Sequence, residues 1–589
     1  MRGSGCLPLN HTTRALLSAR AQPNGIELPP TWPPTGLDVA DFVSRPPRAT
    51  VQPPYLLRPP HTIRIDIGRQ LFIDDFLVEN HTLERQWHSA KIRSLSVLLP
   101  KAPWESSRGG RRTARPFGGG SLLDPRTQEL KLWYRCGWRG ATGKTCVATS
   151  RDGLHFTKPE LKLPSREHNV VLESRHVEAF EVVYDAWAKP PRFVALRMEW
   201  MTGGKRVDEY KVYDSADGVQ WQHRPDVHSG VMADRSSFFI NPLRKRPHWI
   251  FSIRENLCSG GPSGHMRARR YWEIPHGRWL GKDRCCAYRP FLRSYFQCEK
   301  WSVGQPVPWF AVDRADCGFG QCDVYNLDGI AYESILLHGL AILWGPGNGG
   351  EMKNNSIHIG FSRDGFHISR PPPPGPGKLR VPFIATPRPF RNPRGKHVRI
   401  SNLQLAQGSP IIAGDRLFFY FGYAMKEYSA PTPVLPAVHS NYVEATGLAV
   451  LRRDGFASFK PRHGTPNGRL TTRPLVFSGA HLFVNVILRE NGKLRVEVLS
   501  DEAPRGRPLC GLSWPESSPL LGPLDKTSVL VPPWTSGVPL ESVAGRRVRF
   551  RFNLVAGELF SFWVARDKRG SSGGFLGGGE FGKAQISDE

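Results

Sequence analysis

Carboxylates that lie in apolar strands, away from any turn, are the residues of this chain whose chemistry asks for an explanation. Asp75 follows Asp74 within LFIDDFLV (71–78), and Glu333 stands in YESILL (332–337). A pair of such groups can offer one bond an acid and a base. Desolvation in an apolar strand is expected to raise the pKa of Glu333, which suits a general acid. Asp234 opens DRSSFFINP (234–242), with Arg235 beside it to hold a carboxylate ionised. Asp323 and Glu181 are acids on similar strands, where such residues more often sit at edges or hairpins. Trp133, Tyr134 and Trp344 offer rings for stacking, although alternating aromatics in a β protein more often fill its core.

The elements that must position these groups are repeated. Four segments share an alternating strand, an Asp-Gly pair and a hydrophobe about three residues later: CVATSRDGLHF (146–156), YKVYDSADGVQW (210–221), IHIGFSRDGFHI (357–368) and GLAVLRRDGFASF (447–459). Asp-Gly supplies turn geometry, so these carboxylates are read as structural. Upstream of the hairpins runs an aromatic-rich strand, as in LKLWYR (130–135), RFVALR (192–197), HWIFSIR (248–254), GLAILW (339–344) and RLFFYFGY (416–423). The third of these has no Asp-Gly partner, and YWEIPHGRW (271–279) stands as its remnant. Five units with room for four short strands each predict a five-bladed β-propeller. After residue 462 the alternation continues without the box, in LTTRPLVF (470–477), HLFVNVIL (481–488) and VRFRFNL (548–554), which predicts a C-terminal β-sandwich.

Composition agrees with this all-β fold class. The 589 residues include 53 Pro, 59 Gly and 17 Trp, a turn-rich balance with no long helical stretch. The expected organisation is a Pro-rich, disordered or wrapping segment over 1–62, the propeller over 63–462, the sandwich over 463–567 and a disordered Gly-rich tail over 568–589. The formal net charge of +28 raises the question of nucleic acid, but the arginines are scattered, often beside aspartates, and no nucleic-acid partner is expected. No apolar run reaches the ~18 residues of a membrane span. The first residues show no apolar block of a signal peptide, so the compartment stays unassigned. Ten cysteines include no CxxC pair with zinc spacing, and neither a metal nor another cofactor is expected. Cys136 and Cys146 flank a turn and are equally compatible with a disulfide and with two free thiols.

LFIDDFLV (71–78), TCVATSRDGLHFTKPEL (145–161), DRSSFFINP (234–242), Tyr332-Glu333, LRRDGFASF (451–459) and LTTRPLVFSG (470–479) together resemble the N-terminal propeller of glycoside hydrolase family 32 and its family 43-like relatives. The resemblance covers roughly residues 63 to 565. It implies a five-bladed propeller with an acidic pocket on its axis and a carbohydrate substrate, and it is compatible with secretion; a monomer is expected. Three carboxylates from inner strands would form the site, two acting on the glycosidic bond and the third stabilising the transition state. On this resemblance Asp75 is the counterpart of the nucleophile or base, Asp234 of the stabiliser and Glu333 of the acid, with Asp74, Arg235, Asp323 and Trp344 around the substrate. The chain departs from the family in lacking a WMNDPNG-like start, a clean Arg-Asp-Pro and a Glu-Cys-Pro. The competing expectation is a propeller that binds carbohydrate or protein without catalysis.

Overall fold

Alternating apolar residues bounded by Asp-Gly turns fold here into antiparallel sheets. The computed structural model describes residues 6–8, 21–35, 48–106, 111–116, 118–139, 142–162, 168–175, 177–202, 205–231, 235–259, 265–278, 306–318, 322–344, 353–428, 442–502, 506–583 and 587. Four sheets of four strands follow one another along the chain. They begin at Ser121–Asp124, Val177–Asp185, Ser237–Asn241 and Cys322–Glu333, and the fourth takes Phe575–Leu576 as its extra strand. A seven-stranded sheet follows, built on His397–Leu405, Arg416–Tyr428 and Tyr442–Arg452, and it captures Lys91–Leu98 from the start of the chain. The arrangement is propeller-like.

Apolar layers separate successive sheets. Trp133 and Leu122 pack on Val182 and Phe193, Leu196 on Phe238 and Trp249, Ile250 and Phe239 on Leu336 and Leu340, and Leu337 and Ile359 on Ile400 and Phe419. A further layer returns from the seven-stranded sheet to the first, with Phe418, Tyr420 and Leu448 against Leu130, Leu132 and Tyr134.

The Asp-Gly segments take up the expected turn. Asp152 Oδ1 accepts from the amides of Leu154 and His155, Asp217 Oδ1 from Val219 and Gln220, and Asp364 Oδ1 from Phe366 and His367. An aromatic from the preceding sheet reaches each turn: Trp133 Nε1 donates to the Gly218 carbonyl and Trp309 Nε1 to the Phe366 carbonyl. Tyr420 in the seven-stranded sheet donates to the Gly153 carbonyl in the first.

An eleven-stranded sheet completes the chain, with the long partners His481–Ser500 and Val548–Ala565 at its centre and its own core around Phe72, Leu470, Val496 and Phe552. Its strands are drawn from both sides of the propeller-like part. Ile63–Arg64, Gln70–Leu71, Val78–His81 and Glu84–Trp87 pair here, as does Ala457–Lys460. The boundaries expected at 63 and 462 therefore move inward, because the edges of this sheet need partners and the chain segments beside it supply them.

The Gly-rich tail, expected to be disordered from its composition, is hydrogen-bonded across one end of the propeller-like part. Gly577 donates to the Ala331 carbonyl and Gly578 to Pro410, while the amides of Leu123 and Ile412 donate to Gly578 and Gly579. Glycine is required at these close approaches: a Cβ on Gly578 would lie 2.0 Å from the Gly408 carbonyl oxygen. The described part of the first 62 residues wraps, with Gln22 bonded to the Asp364 carbonyl, Trp32 to Glu273 and Thr50 to Asp313. Among the described residues, disulfides join Cys6 to Cys510, Cys136 to Cys146 and Cys317 to Cys322.

Candidate functional site

The first strands of the four-stranded sheets lie side by side around an axis, and their two ends differ in chemistry. Toward their C-terminal ends, Val182, Phe239, Ile240 and Ile330 enclose a mostly apolar cavity of about 80 Å³ whose floor is Phe575 and Gly577–Gly579 of the tail. The opposite end is polar. Nearer their N-terminal ends these strands carry Glu181, Asp323, Asn326 and Asp328, all buried, with Arg235 just before the third strand, and Gln404 is buried in the seven-stranded sheet.

Arg235 links the second and third sheets, its Nη1 standing 3.7 Å from Glu181 Oε1. The approach of the first sheet is glycine-dependent, for a Cβ on Gly118 would lie 2.5 Å from Glu181 Oε1 and 2.9 Å from Arg235 Nη1. Arg235 itself has φ of +64°, a left-handed conformation that costs a non-glycine residue energy and is often kept at functional positions. Arg269 ties this point to the fourth sheet by donating to the carbonyls of Arg235 at 2.6 Å and Tyr325 at 2.5 Å. Burial, together with the nearby Arg254 and Arg235, pushes the Arg269 guanidinium down to about 9.

Asp328 belongs to the same centre. Burial raises its carboxyl above the ordinary range, opposed by Arg235, by a hydrogen bond from Ser237 and by Arg269. Asn326 Nδ2 donates to Asp328 Oδ2 at 2.6 Å. Asp328 Oδ1, Asn326 Oδ1, Gln404 Oε1 and Gln407 Oε1 are buried acceptors without a hydrogen-bond partner among the described residues. Buried acceptors of this kind are normally satisfied, by water or by a ligand. What they lack is a donor such as a hydroxyl.

The residues singled out from sequence are dispersed. Asp75 is exposed, with 61% of its side-chain surface open, and is ion-paired to Arg85 at 2.5 Å. Asp74 is buried and receives Arg363 Nε at 2.9 Å, which fastens the start of the eleven-stranded sheet to the third Asp-Gly turn. Glu333 is fully buried at φ of +50° and accepts from the Arg69 amide at 3.1 Å and the Ser572 hydroxyl at 2.8 Å. Arg69 and Arg453 stand 3.5 Å from its other oxygen. Arg453 also holds Glu580 of the tail at 2.7 Å, and Arg69 holds Asp454 of the fourth Asp-Gly turn at 3.1 Å. That turn departs from the others because Asp454 is drawn into this junction, where Tyr332 and Ser561 donate to it.

The partners of Asp75 and those of Glu333 have no residue in common. Trp344 donates to the Asp316 carbonyl and lies beside His358. Trp133 and Tyr134 are core residues of the first sheet. Arg235 and Glu181 stand together, Asp323 is buried at the start of the fourth sheet's first strand, and Asp234 lies outside the described residues. Asp328 and Asn326 were missed by sequence reasoning. Their signal is the i, i+2 spacing of two polar side chains in the otherwise apolar strand CDVYNLDGIAYE (322–333), which places both on one face. No group of three or more His, Cys, Asp or Glu able to hold a metal ion occurs among the described residues.

No family model matches the chain, and no curated protein matches it. Among solved structures it is similar to a glycosyl hydrolase from Bacteroides ovatus, at 12% identity over 65% of this chain and 97% of that one, with a TM-score of 0.33. It is also similar to a fructofuranosidase from Schwanniomyces occidentalis complexed with fructose, at 10% identity over 81% and 97% of the two chains and a TM-score of 0.31. An exo-beta-1,3-galactanase from Phanerochaete chrysosporium gives 9% identity over 81% and 99%, with a TM-score of 0.29. Scores of this size transfer neither a substrate nor a residue role.

Proposed function

We propose that this chain is a glycoside hydrolase-like protein that cleaves a glycosidic bond at the polar end of a five-bladed propeller axis. The single observation behind the reading is that Glu181 and Asp328, from different sheets, meet around Arg235, with Asp328 Oδ1 and Asn326 Oδ1 buried and without a donor among the described residues. Asp328, whose carboxyl is raised by burial, is the general acid that protonates the leaving oxygen, and Glu181 is the carboxylate that attacks or activates water. Arg235 orients Glu181. Asn326 and Gln404 receive sugar hydroxyls. Asp75 and Glu333 are assigned to holding the fold together, since each is engaged by arginine away from this centre.

Five blades are supported by the apolar layer and by the Tyr420 bond that both join the seven-stranded sheet to the first. The eleven-stranded sheet, bent around its own core, serves as the sandwich. The disulfides among the described residues favour an oxidising compartment.

The test is a screen of oligosaccharide hydrolysis with the purified protein beside Asp328→Asn and Glu181→Gln. Each variant should lower the rate constant by about a hundredfold or more. Full activity in both variants would remove the assignment, and binding without hydrolysis of any sugar would leave a binding propeller.

A further inference from the structure

The acid–base reading leaves the apolar end of the axis without a role. The cavity there, about 80 Å³, is walled by Val182 of the second sheet, Phe239 of the third and Ile330 of the fourth. At about 10–15 Å³ for each water-sized group it has room for roughly six of them, the size of one ring and less than a sugar chain. Tyr184, Trp187 and Phe575 stand part-exposed in its lining, and the rings of Trp187 and Phe575 lie 6.4 Å apart. The lining carries one charged side chain among the described residues, Lys583, which stands 3.8 Å from the Glu580 carboxylate. One polar atom of the wall is left over. Gln407 is buried, with 3% of its surface exposed, and its Nε2 donates to the Phe238 carbonyl, which fixes Oε1 as the other amide atom. Oε1 accepts no hydrogen bond among the described residues.

Water satisfies a buried acceptor only where it finds about two to four polar partners, and mostly apolar walls stay dry or take up an apolar molecule. A sugar fits poorly for the same reason, since most of its hydroxyls would go unpaired. We propose that this cavity is a second ligand site, which takes a small uncharged ring compound bearing one hydroxyl, a phenol or an alicyclic alcohol, with the ring against Val182, Phe239 and Ile330 and the hydroxyl donating to Gln407 Oε1. The tail completes the site. Gly577 donates to the Ala331 carbonyl and Gly578 to that of Pro410, so the floor exists only while the tail is docked. A ligand that binds only the docked form holds the tail in place by mass action. The acid–base pair takes no part in this site.

Calorimetry on the full chain tests the site with phenol, cyclohexanol, toluene and glucose as probes. Phenol and cyclohexanol should bind with dissociation constants of about 1 mM or below, within reach of ring-sized ligands. Glucose should bind about tenfold more weakly or not at all. Ile330→Phe, which fills the cavity from a part-exposed position, should weaken phenol by about tenfold or more. In Gln407→Leu the ratio of phenol to toluene affinity should fall several-fold, because only phenol loses a hydrogen bond. Circular dichroism checks that both variants fold. A readout on the parent protein needs neither of them: saturating phenol should slow amide exchange several-fold in the tail segment 575–579. Failure of every ring probe to bind, or glucose binding equal to that of phenol, would overturn the inference. So would unchanged phenol binding in a folded Ile330→Phe, an unchanged phenol-to-toluene ratio in a folded Gln407→Leu, or tail exchange that phenol does not alter.

Discussion

Asp328 and Glu333 stand on one strand, and their surroundings are alike in three respects. Both are buried, burial raises the carboxyl of each, and two arginines oppose that rise in each case. They differ in how completely they are satisfied. Glu333 accepts from an amide and a hydroxyl, has two guanidiniums at 3.5 Å, and joins its own strand to three other parts of the chain. Asp328 keeps one oxygen without a partner among the described residues, as does Asn326, which is bonded to it. A shifted pKa therefore marks a buried carboxylate and not a reacting one, since structural ion networks shift pKa values as strongly as active sites do. The free acceptor is what separates the two.

The sharpest way to break the comparison is Glu333→Ala. It leaves Arg69 and Arg453 facing a hole in a region with almost no solvent access, and losing one partner of a buried charge network costs on the order of 3–5 kcal/mol. Urea unfolding should show that loss. If the variant is as stable as the parent and inactive, Glu333 is the reacting group and the two roles must be exchanged.

Asp328→Asn comes next, with an expected hundredfold or greater fall in hydrolysis, equivalent to about 2.7 kcal/mol, and no loss of fold. Because the folded-state pKa of Asp328 lies above its unfolded value, the stability it contributes is fully present below the unfolded pKa of about 3.9 and is lost as pH rises through the folded pKa. The Asn variant carries no such titration. Its stability relative to the parent should improve as pH rises from about 4 toward neutrality, and the parent's activity should fall on the alkaline side where the variant's residual rate stays flat. A parent rate independent of pH through that range would remove Asp328 as the acid.

The β class, the repeat and the positions of the turns were legible because period-two alternation and Asp-Gly pairs are local signals. The fourth turn shows the limit of that reading: LRRDGFASF looks like its three siblings, yet Asp454 turns toward Arg69 and Ser561, partners far away in the chain. Glu333 and Asp75 stood out for being charged in apolar strands, but which strand end faces the axis is decided by packing among sheets. Asp328 was hidden by its neighbour, because Asp-Gly at 328–329 reads as a turn while here it continues a strand. Composition misled at the tail, where glycine that usually means disorder serves the close passage of one backbone past another.

The tail also tests whether the Glu333 junction extends to the closed end of the axis. Leu576 is fully buried against Tyr332 and the core between the fourth and fifth sheets. Leu576→Ala should cost about 2–3 kcal/mol, toward the low end for a buried leucine because a terminal segment can relax. Hydrolysis should be unchanged, since the polar end lies at the other end of the strands. Lost activity at retained stability would connect the tail to the site.

The smallest effect is expected at Asp75, whose setting in LFIDDFLV made it a catalytic candidate from sequence. Its carboxylate has 61% of its side-chain surface open and one charged partner, Arg85, which also donates to the Asp74 carbonyl and lies over the ring of Phe459. Arg85 therefore keeps its place without Asp75, and an exposed ion pair is worth at most about 1 kcal/mol because water and salt screen it. Asp75→Asn should shift the unfolding midpoint only slightly, less at high salt than at low, with hydrolysis unaffected. Beside it, Asp74→Asn should cost distinctly more, since Arg363 is buried and would lose its charged partner. Two adjacent aspartates on one short segment would then differ by the same rule that separates Asp328 from Glu333: what surrounds the carboxylate decides its role. An Asp75→Asn variant that folds normally and fails to hydrolyse any sugar would overturn that rule at its simplest instance.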